Sequence, residues 1–157
     1  MKYLYFPIFF LLIIACTKEK AIYECNVCCY ENNLSKQLIG SWKLMAYIDN
    51  EKSTYTYKNQ ENAKGFLEKE VIIHFQDSLN VGKLWGNTLT NSFKGEYILS
   101  NNNSIKINNF GGTKVAEPNW GSDFGNKIQL VEDFEISNNQ LKLFYNSRKN
   151  ALLFEAN

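Results

Sequence analysis

Trp42-Lys43-Leu44-Met45-Ala46-Tyr47-Ile48 is the stretch from which the rest of the chain can be read. Trp42, Leu44, Ala46 and Ile48 fall at a period of two, so one face of an extended strand would carry all four. Lys43 falls on the other face, as in a half-buried strand. Asp49-Asn50 then marks a turn. The same period recurs downstream. Thr54-Tyr55-Thr56-Tyr57 is β-branched and aromatic, which suits a strand. Val71-Ile72-Ile73-His74-Phe75 points Val71, Ile73 and Phe75 inward and is ended by Gln76-Asp77-Ser78.

Further strands are expected at residues 81–85, 93–99 and 104–107, the last two parted by Asn101-Asn102-Asn103. Asparagine tolerates the left-handed conformation that tight turns need. Phe134-Glu135-Ile136 and Leu141-Lys142-Leu143-Phe144-Tyr145 read as a hairpin around Ser137-Asn138-Asn139. A second turn at residues 146–150 leads into Leu152-Leu153-Phe154. Short strands at this spacing predict a mainly β, antiparallel, barrel-like or sandwich domain over residues 37–157.

One or two short helices interrupt the pattern. After Pro118, which suits a helix entrance, Trp120, Phe124 and Ile128 recur at i, i+4 and i+8. Gly121 and Gly125 weaken that helix by about 1 kcal/mol each, so it needs tertiary packing. Its aromatic stripe reads as a lid on the β core. A second helical candidate spans residues 59–70, around Phe66 and Leu67.

Composition bounds the function. The chain has 157 residues, 45% hydrophobic and 15% aromatic, enough for one packed domain. With 17 Lys+Arg against 16 Asp+Glu, it has no field to attract nucleic acid. No paired carboxylates at helical spacing and no Gly-x-Ser-x-Gly elbow appear. Gly111-Gly112-Thr113-Lys114 lacks the upstream glycine of a phosphate loop and reads as a tight turn before a strand. Glu132-Asp133 reads as a solvated pair beside a strand. The single His74 falls opposite Phe75 with no nucleophile linked to it, a sheet-face residue rather than a catalyst. The expectation is a non-enzymatic protein with no cofactor and no metal.

The N-terminus has a separate purpose. Met1-Lys2 precedes an apolar run from Tyr3 to Ile14. A membrane-spanning helix needs about 20 apolar residues, so this run suits a secretory signal better than an anchor. It closes on Ile13-Ile14-Ala15-Cys16, which resembles the lipobox of bacterial lipoproteins. The resemblance implies a signal peptide over residues 1–15, cleavage before Cys16, and a thioether-linked diacylglycerol and N-acyl chain on that cysteine. Several acyl chains, at about 0.8 kcal/mol per buried methylene, would hold the protein to the bilayer. Thr17 is not the aspartate that retains some lipoproteins in the inner membrane, so the outer membrane is the expected address.

Residues 16–36 read as a polar tether carrying Cys25-Asn26-Val27-Cys28-Cys29. Zinc needs four ligands, and neither a second cysteine pair nor a histidine cluster accompanies these. A thioredoxin-like site needs a βαβ context that is absent. A local disulfide with one thiol left over, or unpaired thiols, is the favoured reading.

The order of signals resembles the META domain, the family of HslJ-like heat-shock lipoproteins. Its opening strand is matched by Leu38-Ile39-Gly40-Ser41-Trp42-Lys43-Leu44. Its later motifs are matched by Trp85-Gly86-Asn87, Gly95-Glu96-Tyr97 and Thr113-Lys114-Val115-Ala116-Glu117-Pro118. Phe134-Glu135-Ile136, Leu141-Lys142-Leu143 and Leu152-Leu153-Phe154-Glu155 match its ending. Gly86 and Glu117 stand where the family has two cysteines, which implies that a bridge between those two loops is dispensable. The resemblance implies a membrane-anchored envelope protein with a binding or stress-related role. Gly40-Ser41-Trp42 is also similar to the opening of lipocalins, which implies the alternative of a carrier for a small apolar ligand. The helix discriminates: META-like chains place it before a hairpin and final strand, lipocalins after the last barrel strand.

Overall fold

A computed structural model describes residues 37–78, 81–100 and 103–157. Cys16, the tether and Cys25, Cys28 and Cys29 lie outside the described residues. Among the described residues nine strands form: β1 Gly40–Asp49, β2 Thr54–Tyr57, β3 Ile72–Gln76, β4 Gly82–Asn87, β5 Ser92–Ser100, β6 Ser104–Gly112, β7 Val131–Ser137, β8 Gln140–Tyr145 and β9 Asn150–Ala156. One helix, α1 Asn119–Lys127, and a 3-10 turn at Ile128–Leu130 join β6 to β7.

Every pairing is antiparallel. The order runs β1-β3-β4-β5-β6-β7-β8-β9, and β9 pairs back onto β1, so eight strands close into a barrel. Short β2 stands outside the ring. It pairs with Ala46 to Asp49 of β1, whereas β3 takes Gly40 to Lys43 on the same edge. β1 thus hands over between two neighbours midway along its length.

Side chains fill the interior, as expected of a small eight-stranded barrel. Phe75, Tyr97, Phe134 and Phe154 are buried there with Leu84, Ile105, Leu141 and Leu152. α1 closes the packing with Trp120, Phe124 and Ile128, all buried, as a lid. The Phe124 ring lies 5.1 Å from Phe93 and 6.4 Å from Phe154. Trp120 meets Tyr47 edge-on at 4.7 Å.

Four local expectations are corrected. Trp42, Leu44, Ala46 and Ile48 do not share one face. A β-bulge between Leu44 and Ala46 shifts the register against β9. One extra residue reverses the alternation beyond it. Trp42, Leu44 and Tyr47 therefore join the interior core. Ala46 and Ile48 join a second cluster with Phe144, Ala151 and Leu153 on the opposite face.

Residues 59–70 form turns, not a helix. The Asn59 side chain accepts from the backbone N–H groups of Glu61 (2.9 Å) and Asn62 (3.0 Å), which shapes a single turn. Gly65 then takes a φ of +78° and ends it. Gly111-Gly112 is not a turn before a strand but the end of β6. Glu132-Asp133 lies within β7, where Asp133 is half-buried and pairs with Arg148.

Candidate functional site

The ladder between β6 and β7 is the weakest in the ring. Its one paired position is Ser104↔Asp133, supported by the Phe134 N–H donating to Asn103 O at 3.0 Å. β7 begins only at Val131, because the preceding residues are used by α1 and the 3-10 turn. Among the described residues, 105–112 of β6 consequently have no strand neighbour on that side. On the other side they stay paired to β5, across an irregularity between Lys94 and Glu96. Asn109 sits there at a φ of +50°, and a bulge of this kind bends the strand.

A groove of about 540 Å³ opens between this edge and the helix. Phe93, Phe110, Gly111 and Gly112 form the sheet side. Gly121, Ser122, Gly125, Asn126 and Gln129 form the helix side. A second hollow of about 580 Å³ adjoins it across residues 88–92, with Lys69 and Glu70 on its far wall. A Cβ built on Gly111 or Gly125 meets nothing within 4 Å, so the groove has room at both positions.

Residues 113–118 form a strap at the end of the groove, held by one polar network. The Glu117 carboxylate accepts from Thr88 Oγ1 (2.6 Å), Asn91 Nδ2 (2.7 Å) and the Thr90 N–H (3.1 Å). Asn91 Oδ1 accepts from the Val115 N–H (2.7 Å) and Thr113 Oγ1 (2.9 Å), while its Nδ2 also donates to Val115 O (2.9 Å). Hydrogen bonds to an ionised carboxylate are among the stronger ones, so this network fixes the strap against the β4–β5 loop. Gly121 is required beside it, since a Cβ there would stand 2.0 Å from Glu117 Oε1.

The helix is anchored from three sides. Pro118 precedes its first residue, and its carbonyl accepts from the Gly121 and Ser122 N–H groups at 3.1 Å. The Trp120 N–H, otherwise orphaned in the first turn, donates to Asn62 O at 2.8 Å. Tyr47 Oη donates to Trp120 O. Burial first, and the Asp123 charge second, push the Tyr47 phenol well above its ordinary range, so it remains a donor. Lys127 pairs with Asp123 at 2.7 Å and lies 4.1 Å from the Tyr47 ring centroid.

Sequence reasoning singled out few of these residues as a site. His74 lies on the outer sheet face as expected, stacked 5.3 Å from the half-exposed Trp85. Asn91, Thr88 and Gly125 were not foreseen as groove or network residues. The available signal was the polar run Thr88-Leu89-Thr90-Asn91 and the carboxylate at 117. Glu117 joins the strap to the β4–β5 loop by hydrogen bonds. Gly86 is not part of that link. It lies in β4, where a Cβ would stand 1.9 Å from Ile72 O.

Among the described residues, no His, Cys, Asp and Glu side chains group in a way that could hold a metal ion. No helix among them is long and apolar enough to cross a membrane.

The barrel is similar to the crystal structure of a DUF4847 family protein from Bacteroides vulgatus, with a TM-score of 0.58 and 14% identity. The match covers 76% of this chain and 94% of that one. At that identity the likeness establishes the fold alone. No protein-family model matches the chain, and no curated protein matches it.

Proposed function

We propose that this chain is a lipid-anchored bacterial envelope protein whose barrel is a binding module, with the ligand taken beside α1 rather than inside the barrel. The observation that carries this reading is the groove itself. It is wide, lined by amide and hydroxyl groups over a phenylalanine floor, and kept open by two glycines. Binding sites combine this kind of apolar surface with a few placed polar groups. The one carboxylate in the network, Glu117, is engaged by three donors and serves the strap, which favours binding over catalysis.

Cys16 supplies the anchor in this reading, and the outer membrane is the address. Metabolic labelling with palmitate tests it. The wild type takes the label and Cys16→Ala does not; equal labelling of both removes the anchor. The helix stands before the last three strands, an order that supports a META-like envelope role over a lipocalin one.

The closed barrel favours a second reading, a lipocalin-like carrier of a small apolar ligand. Such a carrier would have to accommodate its cargo among Phe75, Tyr97, Phe134 and Phe154, which occupy the interior. Saturable one-to-one uptake of a fluorescent fatty acid would favour the carrier, and the groove reading predicts none.

A further inference from the structure

We propose that the outer face of β4, β5 and β6 docks onto an anionic bilayer surface, that of the membrane to which Cys16 ties the chain. The inference rests on the anchor proposed above and adds which side of the barrel meets the lipid. Leu84, Phe93, Tyr97, Ile105 and Ile107 take the core positions of these strands. Alternation therefore turns Lys83, Trp85, Lys94, Ile98 and Lys106 outward. The five are contiguous. Trp85 is paired with Lys94, and Ile98 with Lys106, while Lys83 faces Glu96 between the two pairs. Trp85 and Ile98 are each 42% exposed.

Three observations favour a bilayer as the occupant. The first is charge. Among the described residues none of the three lysines is in an ion pair. The one carboxylate on the face, Glu96, accepts from Asn109 Nδ2 at 2.6 Å. Across the barrel the cations are neutralised: Arg148 pairs with Asp133 and Glu135, and Lys43 with Glu155. Lysines without carboxylate partners are what anionic headgroups attract. The second is Trp85 itself, stacked on His74 with ring planes 19° apart. An exposed indole joins an apolar body to an N–H donor and suits the level where hydrocarbon meets headgroup.

The third is the route of the chain. β1 begins at Gly40, and the ladder row from Ser41 runs through His74 and Trp85 to Lys94. Ile39, 41% exposed, stands at this entrance. Stacked Tyr55 and Tyr57, also exposed, are paired instead with the far end of β1, Ala46 to Asp49. Even fully extended, the chain from Cys16 to Gln37 reaches only about 70 Å. Docking on the same membrane is therefore intramolecular, and weak contacts suffice for it.

The test uses the full chain purified from cells and reconstituted into vesicles of three parts phosphatidylethanolamine to one part phosphatidylglycerol, with acyl chains brominated near the glycerol. Bromine quenches an indole only at short range, and Trp42 and Trp120 are buried in the barrel, so Trp85 is the reporter. The proposal expects wild type to lose about a fifth or more of its tryptophan emission, and Trp85→Tyr to abolish most of that loss. Combining Lys83→Gln, Lys94→Gln and Lys106→Gln should at least halve the quenching, as should brominated phosphatidylcholine alone. All three lysines are exposed, so the triple variant is expected to keep the wild-type thermal midpoint.

A chain that floats with the vesicles while Trp85 stays unquenched would overturn the docking and leave the anchor standing. Quenching that survives both the lysine changes and the loss of phosphatidylglycerol would overturn an anionic partner. A shift of Trp85 emission on adding a soluble chitin or maltose oligomer, without quenching by lipid, would overturn the proposal in favour of a glycan. A chain that does not float with vesicles at all would overturn the anchor and the docking together.

Discussion

At the scale of single residues, backbone conformation and buried donors make the sharpest demands. The β7–β8 hairpin turns through Asn138 and Asn139, with φ of +49° and +64°. Two consecutive left-handed residues match the twist of a two-residue hairpin, where glycine is favoured at the second position. Asn139→Gly is expected to leave stability unchanged or raise it. Asn139→Val is expected to cost about 1–2 kcal/mol, because a β-branched side chain crowds the left-handed backbone. Urea midpoints of the two variants check this, and equal midpoints would count against it. Trp120 offers a second contrast. Its ring is buried, yet its Nε1 has no hydrogen-bond partner among the described residues. Trp120→Phe removes that donor at little loss of ring contact and should cost under about 1.5 kcal/mol, against about 3–5 for Trp120→Ala. A Trp120→Phe variant as unstable as Trp120→Ala would mean that the indole N–H is satisfied after all.

At the scale of elements, period-two alternation located most of the barrel strands because most have one face in the core and one outside; β9 instead buries Ala151, Leu152, Leu153 and Phe154 in succession and was legible as a short apolar run. The helix was equally legible, since Trp120, Phe124 and Ile128 sit one turn apart and all bury. What alternation could not show is a change of phase. The bulge before Ala46 turns Ile48 to the opposite face, and no residue type there announces it. The turns at residues 59–70 looked helical because local charge and Phe66-Leu67 fit a helix face. Hydrogen bonding by the Asn59 side chain and the left-handed Gly65 overrode that pattern. The strand expected at residues 104–107 runs on to Gly112 through its pairing with β5, across the glycine pair that reads locally as a turn. Phe124 fixes α1 to the barrel, so Phe124→Ala is expected to cost about 3–5 kcal/mol. Thermal unfolding checks this, and a loss below about 1 kcal/mol would mean that the helix contributes little as a lid.

At the scale of the whole molecule, closure of the ring and the gap beside β6 depend on contacts far apart in sequence, which is why neither could be read from local pattern. The closed state also shapes the response to pH. Burial raises the Tyr145 phenol above its ordinary range, and burial pushes Tyr97 up to about 12, with Asp77 adding to the effect. Tyr47 moves the same way. An unfolded tyrosine titrates near pH 10. The folded protein therefore holds these protons more tightly, and stability is present in full below about pH 10 and lost as pH rises through about 12. Urea midpoints should fall between about pH 10 and about pH 12, and a flat profile over that range would contradict the buried phenols.

The central claim is that the barrel closes through β1 and β9 while the β6 edge stays open beside the helix. Residue-resolved amide exchange on the full chain, without any ligand, tests it most directly. The account predicts the slowest exchange in β1, β8 and β9, with β6 split along residues 105–112: amides bonded to β5 protected, those facing α1 exchanging fast. Uniform protection along that stretch would contradict it, since it would show that the edge is already covered.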